Sequence, residues 1–175
     1  MAQDQPFILT AALEESAFDW FDDLRRAHFP PERNQVPAHL TLFHRLPGEH
    51  EAQIAETLKA ACAAAPGPLP IRVRGPWSLG RGVAYRLEAP ELEALRADLA
   101  RRFEPWLTAQ DRAPFRPHIT IQNKAEPDAA KALLAELQHA FEPFETEAVG
   151  LLVWRYLGGP WEPVARLPFG QARAV

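Results

Sequence analysis

Two short segments of the chain contain the residue types that acid–base chemistry requires. They are "PAHLTLFHR" (37–45) and "FRPHITIQN" (115–123), and each places a proline ahead of a histidine, an aliphatic residue and a threonine. Side chains alternate across a β-strand, so His39 shares a face with Thr41, and His118 with Thr120. The aliphatic residues point to the opposite face and suit packing under helices. The pattern predicts two similar strands that each present an imidazole beside a hydroxyl.

Paired imidazoles are suited to proton transfer at phosphorus. Imidazole has an ordinary pKa near 6.5, so at neutral pH one ring can be neutral while another is protonated. In an in-line displacement, one ring takes a proton from the attacking water or hydroxyl and the other donates to the departing oxygen. The threonine hydroxyls can hold the non-bridging phosphoryl oxygens. This scheme requires neither a metal nor a cofactor, and it predicts that the two motifs share one cleft.

Four further side chains are candidates for substrate binding. Arg45 and Lys124 each lie six positions after a motif histidine, and strand parity puts them on the histidine's face. They could attract a phosphate or line the rim of the cleft. Phe43 and Tyr85 could stack on a nucleobase, although aromatic residues in strands are more often part of the core.

Two alternatives stay open. A zinc site could use histidines from both motifs and their surroundings, namely His39, His44, His50 and His118. The chain has no HExxH segment, however, and strand parity predicts that His44 faces away from His39. The second alternative is a non-catalytic protein that binds a nucleotide or an RNA end in the same cleft.

Composition and charge limit the partners and the location. The chain has 175 residues, of which 47% are hydrophobic and 24% charged, as in ordinary globular proteins. A net charge of −4 does not favour binding to duplex DNA through many phosphates, so we expect a small or terminal substrate that is held through one or a few phosphates. The N-terminal residues do not resemble a signal peptide, and no segment is apolar enough to cross a membrane. With Cys62 as the single cysteine, we expect a cytoplasmic, disulfide-free monomer in which Cys62 is buried in a helix.

The order of predicted elements places the two motifs at equivalent positions. Strand, helix, loop, His-x-Thr strand, helix and strand occur over residues 6–78 and again over 82–155, with a closing hairpin at 146–169. The segment "AQDRAPFRP" (109–117) before the second motif is predicted to be a loop. The repeat predicts one α+β domain with two lobes related by a pseudo-twofold axis. Each lobe would have antiparallel strands with helices packed outside, and the cleft would lie between the lobes.

The two motifs resemble a known family. "PAHLTLF" and "FRPHITI" are similar to the paired histidine–hydrophobic–threonine motifs of the 2H phosphoesterase superfamily, which comprises LigT-like or 2′-5′ RNA ligase-like proteins. The resemblance extends from the first strand, "PFILTAAL", to the closing "VGLLVWRYLGGPWEPVARLPF". The doubled motif at this separation is specific, whereas either copy alone is not.

The resemblance implies a bilobal fold and metal-independent hydrolysis of 2′,3′-cyclic phosphates, usually to a 2′-phosphate. Some relatives also seal or open 2′-5′ linkages in RNA. Transferred to this sequence, His39 and His118 would be the acid–base pair, and Thr41 and Thr120 would hold the phosphate. The sequence leaves open which histidine is the acid and which is the base.

Overall fold

The computed structural model of the chain describes residues 5–170. The helices are α1 (Glu15–His28), α2 (Glu51–Ala64), α3 (Pro90–Phe103), α4 (Ala109–Arg112) and α5 (Pro127–Ala140). The strands are β1 (Phe7–Leu13), β2 (Leu40–Leu46), β3 (Leu69–Ser78), β4 (Val83–Glu88), β5 (His118–Gln122), β6 (Phe144–Tyr156) and β7 (Trp161–Pro168). Short 3₁₀ turns occur at Pro31–Arg33, Gly48–His50 and Glu104–Trp106.

The strands of the described region form one antiparallel sheet with a symmetric order. The order is β2-β1-β6-β3-β4-β5, and β7 pairs with β6. The strands that carry the two motifs, β2 and β5, lie at the two ends of this order. Next to each lies the first strand of the same repeat, β1 or β4, and then the third strand of the other repeat, β6 or β3. Cα atoms of β2 and β5, the two ends of this order, approach within 8 Å. The sheet is therefore curled into a half-barrel in which the two motif strands meet.

The helices pack on the sheet through apolar faces at helical spacing. In α2 the buried residues are Ile54, Leu58 and Cys62, each four positions apart. Complete burial of a leucine or isoleucine side chain contributes about 1.5–3 kcal/mol. Burial also raises the pKa of the Cys62 thiol to about 11, so this side chain is inert core filler at neutral pH, as predicted.

The predicted α+β fold class is confirmed, with one local correction. Residues 109–117, predicted to be a loop, contain the short helix α4. The backbone N–H of Asp111 donates to the Thr108 hydroxyl, which caps this helical turn at its N-terminus. No helix within residues 5–170 is long and apolar enough to span a membrane.

Candidate active site

Each motif strand is interrupted by a β-bulge directly after its threonine. On β2, Thr41 pairs with Thr10, but Phe43 pairs with Leu9, so β2 has an extra residue at this point. A second register shift follows before Leu46. Bulges re-aim the side chains that follow them and are common beside active sites. Strand alternation therefore holds from His39 to Thr41 and fails afterwards.

The second motif strand has a bulge at the equivalent position. Thr120 pairs with Ala84, whereas Gln122 pairs with Val83. The bulge brings the β5 backbone against Gly82, where an added Cβ would lie 1.9 Å from the Gln122 carbonyl oxygen. Glycine at position 82 is required for this close approach.

The structure brings both histidines and both threonines of the motifs to one cavity of about 180 Å³. The residues that line it are Ile8, His39, Thr41, His44, His118, Thr120 and Trp161. A larger cavity of about 590 Å³ is lined by residues of α1, the end of α5 and the neighbouring strands, with the aromatic side chains of Trp20, Tyr85, Phe141 and Phe144, and no histidine of the described region lines it. The smaller cavity is the one that brings the imidazoles of both motifs together.

The two motif histidines have the same hydrogen-bonding geometry. His39 Nδ1 lies 2.8 Å from the carbonyl oxygen of Pro37, and His118 Nδ1 lies 2.8 Å from that of Arg116. A carbonyl can only accept, so each Nδ1 carries a proton and donates it. Each Nε2 therefore remains available for chemistry in the cavity: it is a base in the neutral ring and an acid in the imidazolium.

The surroundings of His39 favour its neutral form. Burial, followed by the positive charges of Arg25, His44 and His118, lowers the pKa of His39 from 6.5 to about 4, although the bond to Pro37 opposes the shift. The ring keeps some solvent exposure, but protein atoms surround it closely, including the Trp161 ring at a centroid distance of 4.6 Å. In the ligand-free protein at pH 7, the His39 imidazole is uncharged.

Helix α1 holds both motif strands in place. The Asp22 carboxylate accepts a 2.8 Å hydrogen bond from the backbone N–H of Ala38, the residue before His39. Buried Arg25 donates to the Thr120 carbonyl at 2.9 Å and to the Asn34 side chain at 2.9 Å. One helix thus fixes the spacing between the two halves of the site.

Comparison with known proteins identifies the family. The sequence model of the 2′-5′ RNA ligase superfamily matches residues 13–160, a span that contains both motifs. The chain belongs to this superfamily. The match confirms the resemblance that the two motifs predict. A comparison with curated proteins found no match.

Solved structures show that this superfamily member shares the fold of LigT-like proteins. TT0787 of Thermus thermophilus is 20% identical, with a TM-score of 0.67, and the alignment covers 96% of this chain and 100% of that one. E. coli LigT, in a structure described as complexed with 3′-AMP, is 19% identical with a TM-score of 0.62, covering 96% and 99% of the two chains.

Two aromatic residues predicted to contact substrate lie in the core of this superfamily member. Phe43 is completely buried, because the bulge after Thr41 turns it inward, and the Arg96 guanidinium lies 4.5 Å from its ring centroid. Tyr85 is 1% exposed and packs edge-on against Trp20. Neither ring lines the cavity that holds the histidines. Phe43 therefore lies in the core and not in the cleft, whereas Tyr85 lines the larger cavity of about 590 Å³, and its stacking on a base stays a prediction.

The two basic candidates lie outside the cavity. Arg45 and Lys124 are both exposed, and neither lines the space around the histidines. The bulges in β2 break the parity that would have placed Arg45 beside His39. Lys124 follows the end of β5 with a φ of 57°, so strand alternation does not extend to it. A role for either at the rim stays a prediction.

Asp111 is a part of the site that sequence reasoning did not find, and His44 is one that it considered only as a zinc ligand. Strand parity placed His44 on the face away from His39, and this is wrong, because the bulge brings His44 into the same cavity. Its Nδ1 lies 2.9 Å from the Asp111 carboxylate. Although three histidines line the cavity, no group of His, Cys, Asp or Glu side chains in residues 5–170 has the arrangement of a metal site.

Proposed function

We propose that this superfamily member is a phosphodiesterase that hydrolyses a 2′,3′-cyclic phosphate, at an RNA 3′ end or on a nucleotide, to a 2′-phosphate. The observation that supports it best is the convergence of two imidazoles, each held through Nδ1 by a backbone carbonyl, on a cavity that two threonines also line. Acid–base catalysis at phosphorus uses such a pair.

The lowered pKa of His39 supports a division of roles between the two rings. Neutral His39 accepts a proton from water at Nε2 as the water oxygen bonds to phosphorus. The bond from phosphorus to the 3′ oxygen breaks, and protonated His118 donates its Nε2 proton to that oxygen. The products are a 3′ hydroxyl and a 2′-phosphate. A bound phosphodiester anion raises the pKa of His39 toward its ordinary value, which improves it as a base.

The threonines would stabilise the charge that develops on the phosphoryl group. Thr41 and Thr120 line the same cavity as the two rings, and their hydroxyls can donate to the non-bridging oxygens. No step in this scheme passes through a metal or cofactor.

The size of the cavity indicates how much of the substrate it holds. At about 180 Å³ it is smaller than the roughly 300–1,000 Å³ of pockets that enclose whole ligands. It therefore accepts the phosphate, and the sugar and base extend outside, which is compatible with a long RNA or a mononucleotide. E. coli LigT structures described as complexes with phosphate and with 3′-AMP support this ligand class. Ligation of 2′-5′ ends, a monomeric state and a cytoplasmic location stay predictions.

A panel of substrates tests the proposal. The purified protein is incubated with 2′,3′-cyclic AMP, 3′,5′-cyclic AMP and a 2′-5′-linked dinucleotide, and the position of the product phosphate is determined by ³¹P NMR. We expect turnover of the 2′,3′-cyclic compound to the 2′-phosphate and a bell-shaped pH profile, since one acid and one base take part. Binding of these compounds without turnover would favour the non-catalytic alternative and contradict the proposal.

A further inference from the structure

A third imidazole lines the cavity and is paired with a buried carboxylate. The His44 side chain is 43% exposed, whereas the Asp111 side chain, on α4, is 0% exposed. His44 Nδ1 lies 2.9 Å from Asp111 Oδ1, and the same carboxylate accepts the backbone N–H groups of His44 at 2.9 Å and Arg45 at 3.0 Å. An ionised carboxylate accepts hydrogen bonds and cannot donate them, so His44 Nδ1 carries a proton. Nε2 is then the ring nitrogen left for the cavity.

The Asp111 carboxylate is a counter-charge in contact with the His44 ring. Burial opposes ionisation of Asp111, but hydrogen bonds from the His44 ring and from two backbone N–H groups outweigh it and hold the Asp111 pKa below its ordinary value. An ionised carboxylate in contact with an imidazole stabilises the imidazolium. The other titratable groups that line the cavity are His39 and His118, so no carboxylate lines the cavity itself.

Arg96 holds the backbone on both sides of the His44–Asp111 pair. Arg96, on α3, is 8% exposed, and its guanidinium donates to the carbonyl oxygens of Leu42 and Asp111. It thereby ties α3 and α4 to the bulged segment of β2 that carries His44. This arrangement orients the His44 ring more firmly than an exposed strand residue would be oriented on its own.

The two halves of the site differ at this position. His44 follows Thr41 by three residues, and the equivalent residue after Thr120 is Asn123, beyond a bulge at the same place in β5. The Asn123 side chain accepts a hydrogen bond from the backbone N–H of Lys124. Pseudo-symmetry therefore accounts for two of the imidazoles in the cavity, and His44 is an addition to one side.

We propose that His44, held by Asp111, binds the substrate phosphate by donating a hydrogen bond from Nε2–H to a non-bridging oxygen. The inference rests on the function proposed above and assigns it a separate binding group. His39 and His118 exchange protons with water and the departing oxygen, and His44 holds the phosphate without transferring a proton. Asp111 acts through His44 and is a positioning residue.

Anion binding tests this assignment without relying on turnover. Sulfate is a suitable tetrahedral probe because its charge is constant between pH 5.5 and 8.5, and its dissociation constant can be measured by calorimetry. A charge-assisted hydrogen bond is worth enough that His44→Gln should weaken sulfate binding roughly 10- to 100-fold at pH 6. The difference from wild type should narrow at pH 8.5, because a neutral imidazole donates a weaker hydrogen bond to an anion than an imidazolium does.

Variants with matched chemistry separate binding from structure. His44→Lys, which keeps a cation, should recover part of the affinity, and Asp111→Asn should weaken sulfate binding at pH 6 because the imidazolium loses its counter-charge. His139→Gln, an exposed change on α5, should match wild type. If His44→Gln lowers only the melting temperature and binds sulfate as wild type does at every pH, His44 is merely structural and the inference is wrong.

The same variants distinguish failure of the inference from failure of the proposed function. Wild-type protein that binds sulfate through His44 but turns over no 2′,3′-cyclic nucleotide would overturn the function and keep the anion site. Turnover in wild type with an unchanged kcat/KM in His44→Gln would keep the function and overturn the role of His44.

Discussion

The depressed pKa of His39 makes stability depend on pH in a way that one substitution should remove. The unfolded chain binds a proton at His39 near the ordinary pKa of 6.5, whereas the folded protein does so only near pH 4. The stabilising contribution is therefore complete above pH 6.5 and is lost as the pH falls through this window toward 4. His39→Gln removes the titrating ring while keeping a polar side chain of similar size.

The magnitude follows from the two pKa values. Between pH 7 and pH 4.5, the unfolded state takes up a proton at this ring more readily than the folded state. This lowers the free energy of unfolding by about 2.4 kcal/mol, at 1.36 kcal/mol per pKa unit. The ring is partly exposed, and screening by solvent reduces the figure, so we expect about 2 kcal/mol. The figure is how much more free energy of unfolding wild type loses than His39→Gln between pH 7 and pH 4.5. It is not the absolute stability of either protein.

Urea unfolding at pH 7 and pH 4.5 measures this difference. The many carboxylates of the chain also lose stabilising interactions in acid, but they do so equally in both proteins and cancel in the comparison. His139→Gln serves as the control, because His139 is exposed and its replacement should leave the acid-induced loss as in wild type. If wild type and His39→Gln lose the same free energy of unfolding between the two pH values, the account of a neutral His39 closely surrounded by protein atoms is refuted.

Three further predictions concern the chemistry and the scaffold. EDTA should leave turnover unchanged, and loss of activity that zinc restores would contradict the metal-free scheme. Arg25→Met should lower the free energy of unfolding by about 1–3 kcal/mol, because it removes the donor to the part-buried Thr120 carbonyl, and kcat/KM should fall as well. An unchanged urea midpoint would show that this bond does not hold the strand. Gly82→Ala should destabilise the protein by about 1–3 kcal/mol by overpacking, since its Cβ would meet the Gln122 backbone, and wild-type stability would mean that the bulge relaxes freely.

Strand alternation was sufficient to predict the central part of the site. His39 and Thr41 are two residues apart in one strand, as are His118 and Thr120, so parity alone places each pair on one face. The repeated order of elements then predicts that the two faces meet. The structure does bring these four side chains to one cavity.

Alternation failed beyond the threonines because the bulges depend on pairing with another strand. A single sequence shows no mark of the extra residue between Thr41 and Phe43, since the register with β1 creates it. For this reason Phe43 was expected in the cleft and His44 outside it, and their positions are the reverse. The one sequence feature that could have placed His44 in the site is its position three residues after Thr41, but strand parity predicts that it faces away.

The supporting residues could not be predicted because their partners are distant in sequence. Asp111 contacts His44 across 67 residues of chain, and it lies in a proline-flanked segment that favours a loop. Arg25 contacts Thr120 across 95 residues. On a helix, an arginine among buried positions looks like any surface cation until the tertiary fold places a carbonyl beside it.

The central claim is that one histidine from each half of the chain serves a single reaction at one phosphate. The most direct measurement is kcat/KM for 2′,3′-cyclic AMP in His39→Ala, His118→Ala and the double variant, with folding of each checked by circular dichroism. Because the rings act in the same step, each single change should lower kcat/KM roughly 10²–10⁴-fold, and the double variant should be little lower than either single variant. Mild losses that multiply in the double variant would show that the two rings act independently, and would contradict the account.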